Sequence, residues 1–172
     1  MTKGTGAAAA AGSRARNRGL ARISAFPRNR SPMMELNTVM TANPACCGRE
    51  TSLKEVARLM ADNDCGMIPV VDQQGMPLGT ITDRDIAVRA VAKGGDMNNC
   101  CAGDYMSEPV RTVSQDSTLA DCCAAMESAQ LRRMPVVDSQ GRVVGVVAQA
   151  DIALNSSPST TAEVVQEISR PN

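Results

Sequence analysis

Thr82 and Asp85, three residues apart with Arg84 between them, are the side chains in this 172-residue chain best placed to do chemistry. The apolar run before Thr82 reads as a strand and the segment after it as a helix, so the trio sits where unpaired backbone amides open a helix. Such a place favours an anion: amides and helix dipole attract phosphate, Thr82 adds a hydroxyl and Arg84 adds positive charge. Thr-x-x-Asp is equally a capping box, which would stabilise the helix without any ligand. The two roles are compatible.

Other chemistry is thin. The chain contains no histidine, the commonest general base, and neither a nucleophile elbow nor a Walker loop nor a metalloprotease helix appears. The reading is therefore of a protein that is not an enzyme. Seven cysteines form three adjacent doublets plus Cys65, an odd number that fits no closed disulfide framework. Adjacent side chains point to opposite faces of a strand or diverge by about 100° on a helix, so a doublet rarely gives two ligands to one metal. Cys47, Cys122 and Cys123 read as small buried hydrophobes, and Cys100 and Cys101 as the most accessible thiols. Free thiols predict a reducing, cytoplasmic setting.

A repeated unit positions the Thr82 trio. PVVDQQG at 69–75 recurs as PVVDSQG at 135–141, and the same offset of 66 pairs Met40 with Met106, Leu53 with Leu119, Gly79 with Gly145, and Asp85-Ile86-Ala87 with Asp151-Ile152-Ala153. Each copy predicts an extended segment (45–47; 110–113) and a helix capped near Thr51-Ser52 or Ser117-Thr118. A hairpin follows (67–71 with 78–82; 134–137 with 143–147), then a second helix, which in the first copy runs from near Asp83 toward Lys93 and stops at Gly94-Gly95. The fold class is α/β, two tandem β-α-β-β-α units packed as a pseudo-two-fold pair, because one unit alone is too small to bury a sufficient core. The boundaries are 36–93 for the first copy, 94–104 for a linker, 105–155 for the second copy and 156–172 for a tail. In that tail, Thr160-Thr161 cap a short closing helix whose apolar stripe is Val164, Val165 and Ile168.

The hydrophobic-Pro-Val-Val-Asp hairpin, the Gly79-Thr80-Ile81-Thr82-Asp83-Arg84-Asp85 segment and the doubling resemble a pair of CBS domains over roughly 36–155. The resemblance implies a regulatory module that binds AMP, ATP, NAD or S-adenosylmethionine between its copies, modulates a partner protein and dimerises as a flat disc. It implies ligand roles for Thr80, Thr82, Arg84 and Asp85, whose carboxylate could accept from ribose hydroxyls. Val110 would stand beside Asp85, Ala45 beside Asp151, and Arg132 and Arg133 would contact phosphate. The second copy departs from the pattern, with Ala148 and Ala150 replacing the threonine and arginine ahead of Asp151. This predicts an asymmetric pair whose first site is the better equipped. The second helices, with Ile86-Ala87-Val88 and Ala90-Val91-Ala92, are the expected self-association faces.

Composition supports a ligand-binding role. With 43% hydrophobic residues the chain can bury a core, while Phe26 and Tyr105 are its whole aromatic supply, so base-stacking platforms for single-stranded nucleic acid are lacking. Residues 1–32 carry seven basic residues and no acid, leaving 11 basic against 18 acidic residues in 33–172. The basic stretch reads as a disordered tail, a transit peptide or an upstream extension. The acidic body argues against nucleic acid, and no membrane role is expected. A thiol-based redox or metal sensor that keeps the fold without the nucleotide is the alternative reading.

Overall fold

The computed structural model describes Met34–Arg170; the reading of residues 1–32 lies outside the described residues. Strands β1 (Thr41–Ala42), β2 (Met67–Val71), β3 (Pro77–Thr82), β4 (Val113–Ser114), β5 (Arg133–Val137) and β6 (Val143–Ala148) alternate with helices α1 (Leu53–Asp62), α2 (Ala102–Tyr105), α3 (Leu119–Ala129), α4 (Gln149–Asn155) and α5 (Pro158–Ile168). The caps predicted for α1 and α3 form as read. Ser52 Oγ accepts from the Glu55 amide at 3.3 Å, and Thr118 with Asp121 closes a full capping box. Among the described residues, no helix is long and apolar enough to cross a membrane.

Both hairpins pair antiparallel, and each register shifts at the same repeat position, Val70/Val71 and Val136/Val137. The offset of 66 also reaches the flanking strands. Cys47 bridges Val70 in parallel, as Val113 pairs with Val136. Thr41 pairs with Val146, as Ser107 bridges Thr80. The last two pairings cross between copies: each copy's lead-in segment joins the other copy's hairpin. The predicted lead-in strands were 45–47 and 110–113. The structure keeps their Cys47 and Val113 ends and adds these exchanged edges, which two-residue strands are too short to announce by alternation.

The exchange divides the core. One cluster holds Leu36, Val39, Met126, Met134, Val147, Ile152, Val164 and Ile168; the other holds Leu53, Val56, Ile68, Ile81, Ala102 and Met106. Leu36 is fully buried on the second copy and Ala102, 66 residues on, is fully buried on the first. Burial of a leucine side chain contributes about 1.5–3 kcal/mol, so each lead-in is anchored by its neighbour. Residues 94–104 are docked as well: Leu53 N–H donates to Cys100 O at 2.9 Å, and Ala102 N–H to Thr51 O at 2.8 Å.

Two predicted helices differ in detail. After Thr82 the chain is helical to Lys93 and stops at Gly94 (φ +76°), but it winds as a π-helix over Asp85–Ala90 and as a 3-10 turn over Val91–Lys93. The closing helix begins at Pro158 and its cap, Ser157, lies three residues before the predicted Thr160-Thr161 cap. Proline suits the first helical turn, where its missing N–H costs nothing. Val164 and Ile168 are buried while Val165 is exposed, so the stripe has two members.

Candidate functional site

Two clefts lie between the copies, and the offset of 66 relates them position by position. The larger, of about 670 Å³, is lined by Thr80, Thr82, Asp83 and Arg84 from the first copy and by Val110, Arg111, Gln130, Arg132 and Arg133 from the second. The smaller, of about 440 Å³, is lined by Asn43, Pro44, Ala45, Asp64 and Gly66 from the first copy and by Val146, Ala148, Ala150 and Asp151 from the second. Met67 and Arg133 line both.

Both volumes fall in the range of small-ligand pockets. Their charges are opposite. The first cleft gathers four arginines, Arg84, Arg111, Arg132 and Arg133, against Asp83. Their counterparts 66 residues away are Ala150, Ala45, Gly66 and Met67, every one uncharged. The second cleft sets Arg133 against Asp64 and Asp151. Ion pairs among the described residues are Arg49–Glu108, Arg89–Asp85, Arg142–Asp138 and Arg170–Glu167, so the four cleft guanidiniums are uncommitted.

The helix start that opens the first copy's site is fully capped. Thr82 N–H and Oγ1–H both donate to Asp85 Oδ2, at 3.0 and 2.7 Å, and Asp85 N–H donates to Thr82 Oγ1 at 3.1 Å. Arg89 Nη1, one turn on, donates to Asp85 Oδ1 at 3.4 Å and to Tyr105 O at 2.7 Å. Asp85 therefore spends both oxygens inside the protein and is absent from the first cleft's lining, whereas Thr80, Thr82 and Arg84 line it with Val110, Arg132 and Arg133. In the second copy Asp151 Oδ2 accepts the Ala148 amide at 2.8 Å. The counterpart of Arg89 is Asn155, whose amide reaches the Asp151 backbone oxygen, so the Asp151 carboxylate faces its cleft.

Ala45 and Asp151 both line the second cleft. Sequence reasoning missed Asp83, Arg111, Gln130 and Asp64. Gln130 (φ +51°) and Asp64 (φ +47°) are equivalent left-handed residues closing α3 and α1, and their only sequence signal was their place after each helix.

Cys65 lines the second cleft with Asp64 and Asp151, and the other six thiols line neither cleft. Burial pushes Cys47 up to about 11, Cys122 up to about 12 and Cys123 up to about 11, leaving them protonated and unreactive at neutral pH. Cys46, Cys65, Cys100 and Cys101 are half-buried. Among the described residues no three Cys, Asp or Glu side chains converge to hold a metal ion.

The CBS domain family profile matches residues 36–91 and 102–157. The chain belongs to the CBS-domain family. The CBS pair is 31% identical over 139 residues to Hypoxic response protein 1 of Mycobacterium tuberculosis, covering 81% of this chain and 96% of that one. It is 35% identical over 130 residues to the CBS domain-containing protein YhcV of Bacillus subtilis, covering 76% and 91%. A crystal structure of Hypoxic Response Protein I with two coordinated zinc ions superposes on the CBS pair with a TM-score of 0.64 at 32% identity, covering 70% of this chain and 97% of that one. The CBS domain pair of protein MJ0100, in complex with 5'-methylthioadenosine and S-adenosyl-L-methionine, gives a TM-score of 0.65 at 27% identity, covering 72% and 96%.

Proposed function

We propose that this CBS pair is a regulatory module whose first cleft takes a phosphorylated adenosyl ligand and whose occupancy alters the activity of a partner protein. The observation that carries the reading is the cluster of four uncommitted guanidiniums in the first cleft. Planar guanidiniums match phosphate geometry, and a cleft concentrates their field. The MJ0100 pair, bound to two adenosyl compounds, supports the adenosyl half of the ligand. Met67, Val110 and Pro135 give the cleft an apolar wall for a base, Thr80 and Thr82 give it hydroxyls, and a ribose would draw Asp85 away from Arg89.

Self-association belongs to the same reading. Ala90 turns into the core, but Val88, Val91 and Leu154 are 51%, 57% and 84% exposed, and Val88 and Leu154 are repeat equivalents. A paired apolar surface on both copies supports a dimer built on these helices.

Isothermal titration with ATP, ADP, AMP, NAD and S-adenosylmethionine tests the ligand. ATP is expected to bind more tightly than AMP, and Arg84→Ala with Arg132→Ala to weaken ATP more than AMP. The reading fails if none of the five binds, or if the arginine variants leave ATP affinity unchanged. Sedimentation of Leu154→Glu against the wild type tests the dimer.

A further inference from the structure

We propose that Arg133 couples the two clefts, so that a polyanion in the first makes the second selective for a cationic or uncharged ligand. Arg133 opens β5 and lines both clefts. In the first it is one of four cations. In the second it is the only cation among the described residues, and Asp64 and Asp151 line the same cleft.

Gly66 makes the sharing possible. A Cβ at this position would lie 2.9 Å from Arg133 Nη2 and 2.8 Å from Asp83 Oδ2, so the glycine leaves room for the guanidinium to lie where it does, across the boundary. Asp83 approaches the same point from the first cleft without forming an ion pair with it. Arg133 thus has no fixed partner and is free to follow charge.

A phosphate chain held by Arg84, Arg111 and Arg132 recruits Arg133 as its fourth cation. The second cleft is then left with two carboxylates and no compensating charge. Its preference moves away from anions and toward a ligand bearing positive charge, and by linkage a cation in the second cleft strengthens polyanion binding in the first. The two adenosyl ligand types would sort themselves by charge. The ligand half of this inference rests on the adenosyl reading above; the coupling itself does not.

The test uses inorganic tripolyphosphate, which carries the charge without the nucleoside. In the ¹⁵N-labelled full chain, titration is expected to move the Thr82 and Arg84 amides and, at the same midpoint, the Asp64 and Asp151 amides of the second cleft. In Arg133→Gln the first pair still moves and the second pair stays. With tripolyphosphate saturating, calorimetry is expected to show S-adenosylmethionine binding on the order of fivefold tighter and AMP binding weaker at the second cleft, a modest coupling, with both effects lost in Arg133→Gln.

The coupling is overturned if tripolyphosphate does not bind, if it moves only the first-cleft amides, or if the second-cleft response persists in Arg133→Gln. If neither S-adenosylmethionine nor AMP binds, the second cleft takes no adenosyl ligand and the ligand half of this inference fails, while the amide shifts still decide the coupling.

Discussion

Replacing Gly79 by alanine tests the exchanged edges on which both clefts depend. A Cβ at this position would lie 2.7 Å from Met106 Sδ and 2.9 Å from the Ser107 backbone oxygen. The methionine can swing away, but the carbonyl belongs to the lead-in segment and moves only with it. That movement strains the paired bonds Thr80 N–H to Ser107 O (3.1 Å) and Ser107 N–H to Thr80 O (2.8 Å). Overpacking costs about 1–3 kcal/mol and each bond about 0.5–1.5 kcal/mol, so about 2–4 kcal/mol is expected when the terms partly overlap. For a chain of this size each kcal/mol lowers Tm by about 2–4 °C, which calorimetry resolves. Gly48→Ala is the control, because its nearest neighbour is Thr51 Oγ1 at 3.9 Å and a tolerated alanine stabilises by about 0.4–1 kcal/mol. If Gly79→Ala melts with Gly48→Ala, the lead-in segment does not hold its close approach to Gly79.

Thr82→Ala removes a complete cap and should cost about 0.5–2 kcal/mol in urea denaturation; an unchanged midpoint would mean that Ala148 shows all a helix needs here. The hydrogen bonds from Thr118 hold the Asp121 carboxyl below the usual aspartate range. Its contribution is therefore complete above the ordinary value near 3.8 and is lost as pH falls through the lowered folded-state value. Asp121→Asn should accordingly destabilise at pH 7 and matter less at pH 2.5, and an equal effect at both would refute the assignment. In native protein a thiol reagent should label Cys46, Cys65, Cys100 and Cys101 before Cys47, Cys122 and Cys123; mapping by mass spectrometry would expose any other order.

The repeat was legible because its hairpins carry near-identical β-branched runs around a turn, and because Ser52 and Thr118 are residues whose side chains cap helices. Three of the four cleft arginines were named from the resemblance, and Arg111 was missed although it directly follows Val110. The commitment of Asp85 to Arg89 was half visible as an i, i+4 pair. Its other half, the Tyr105 carbonyl sixteen residues on, depends on how the second copy's lead-in docks. The π-winding of Asp85–Ala90 carries no apolar period of its own that separates it from an α-helix. Charge opposition between the clefts could have been read by applying the offset of 66 to each candidate in turn, once the lining was known. The lining itself is a product of tertiary packing.

The crossed lead-ins set an order of assembly. Thr80 meets Ser107 after 27 residues, but Thr41 meets Val146 only after 105. Closing the longer loop costs about 1.2 kcal/mol more in chain entropy, since the length roughly quadruples. During synthesis the first hairpin can gain its borrowed edge while the second copy is still being made. Thr41 must wait, holding Leu36 without its pocket, until Val146 has emerged. The second cleft, which Thr41–Ala45 walls, thus forms after the first.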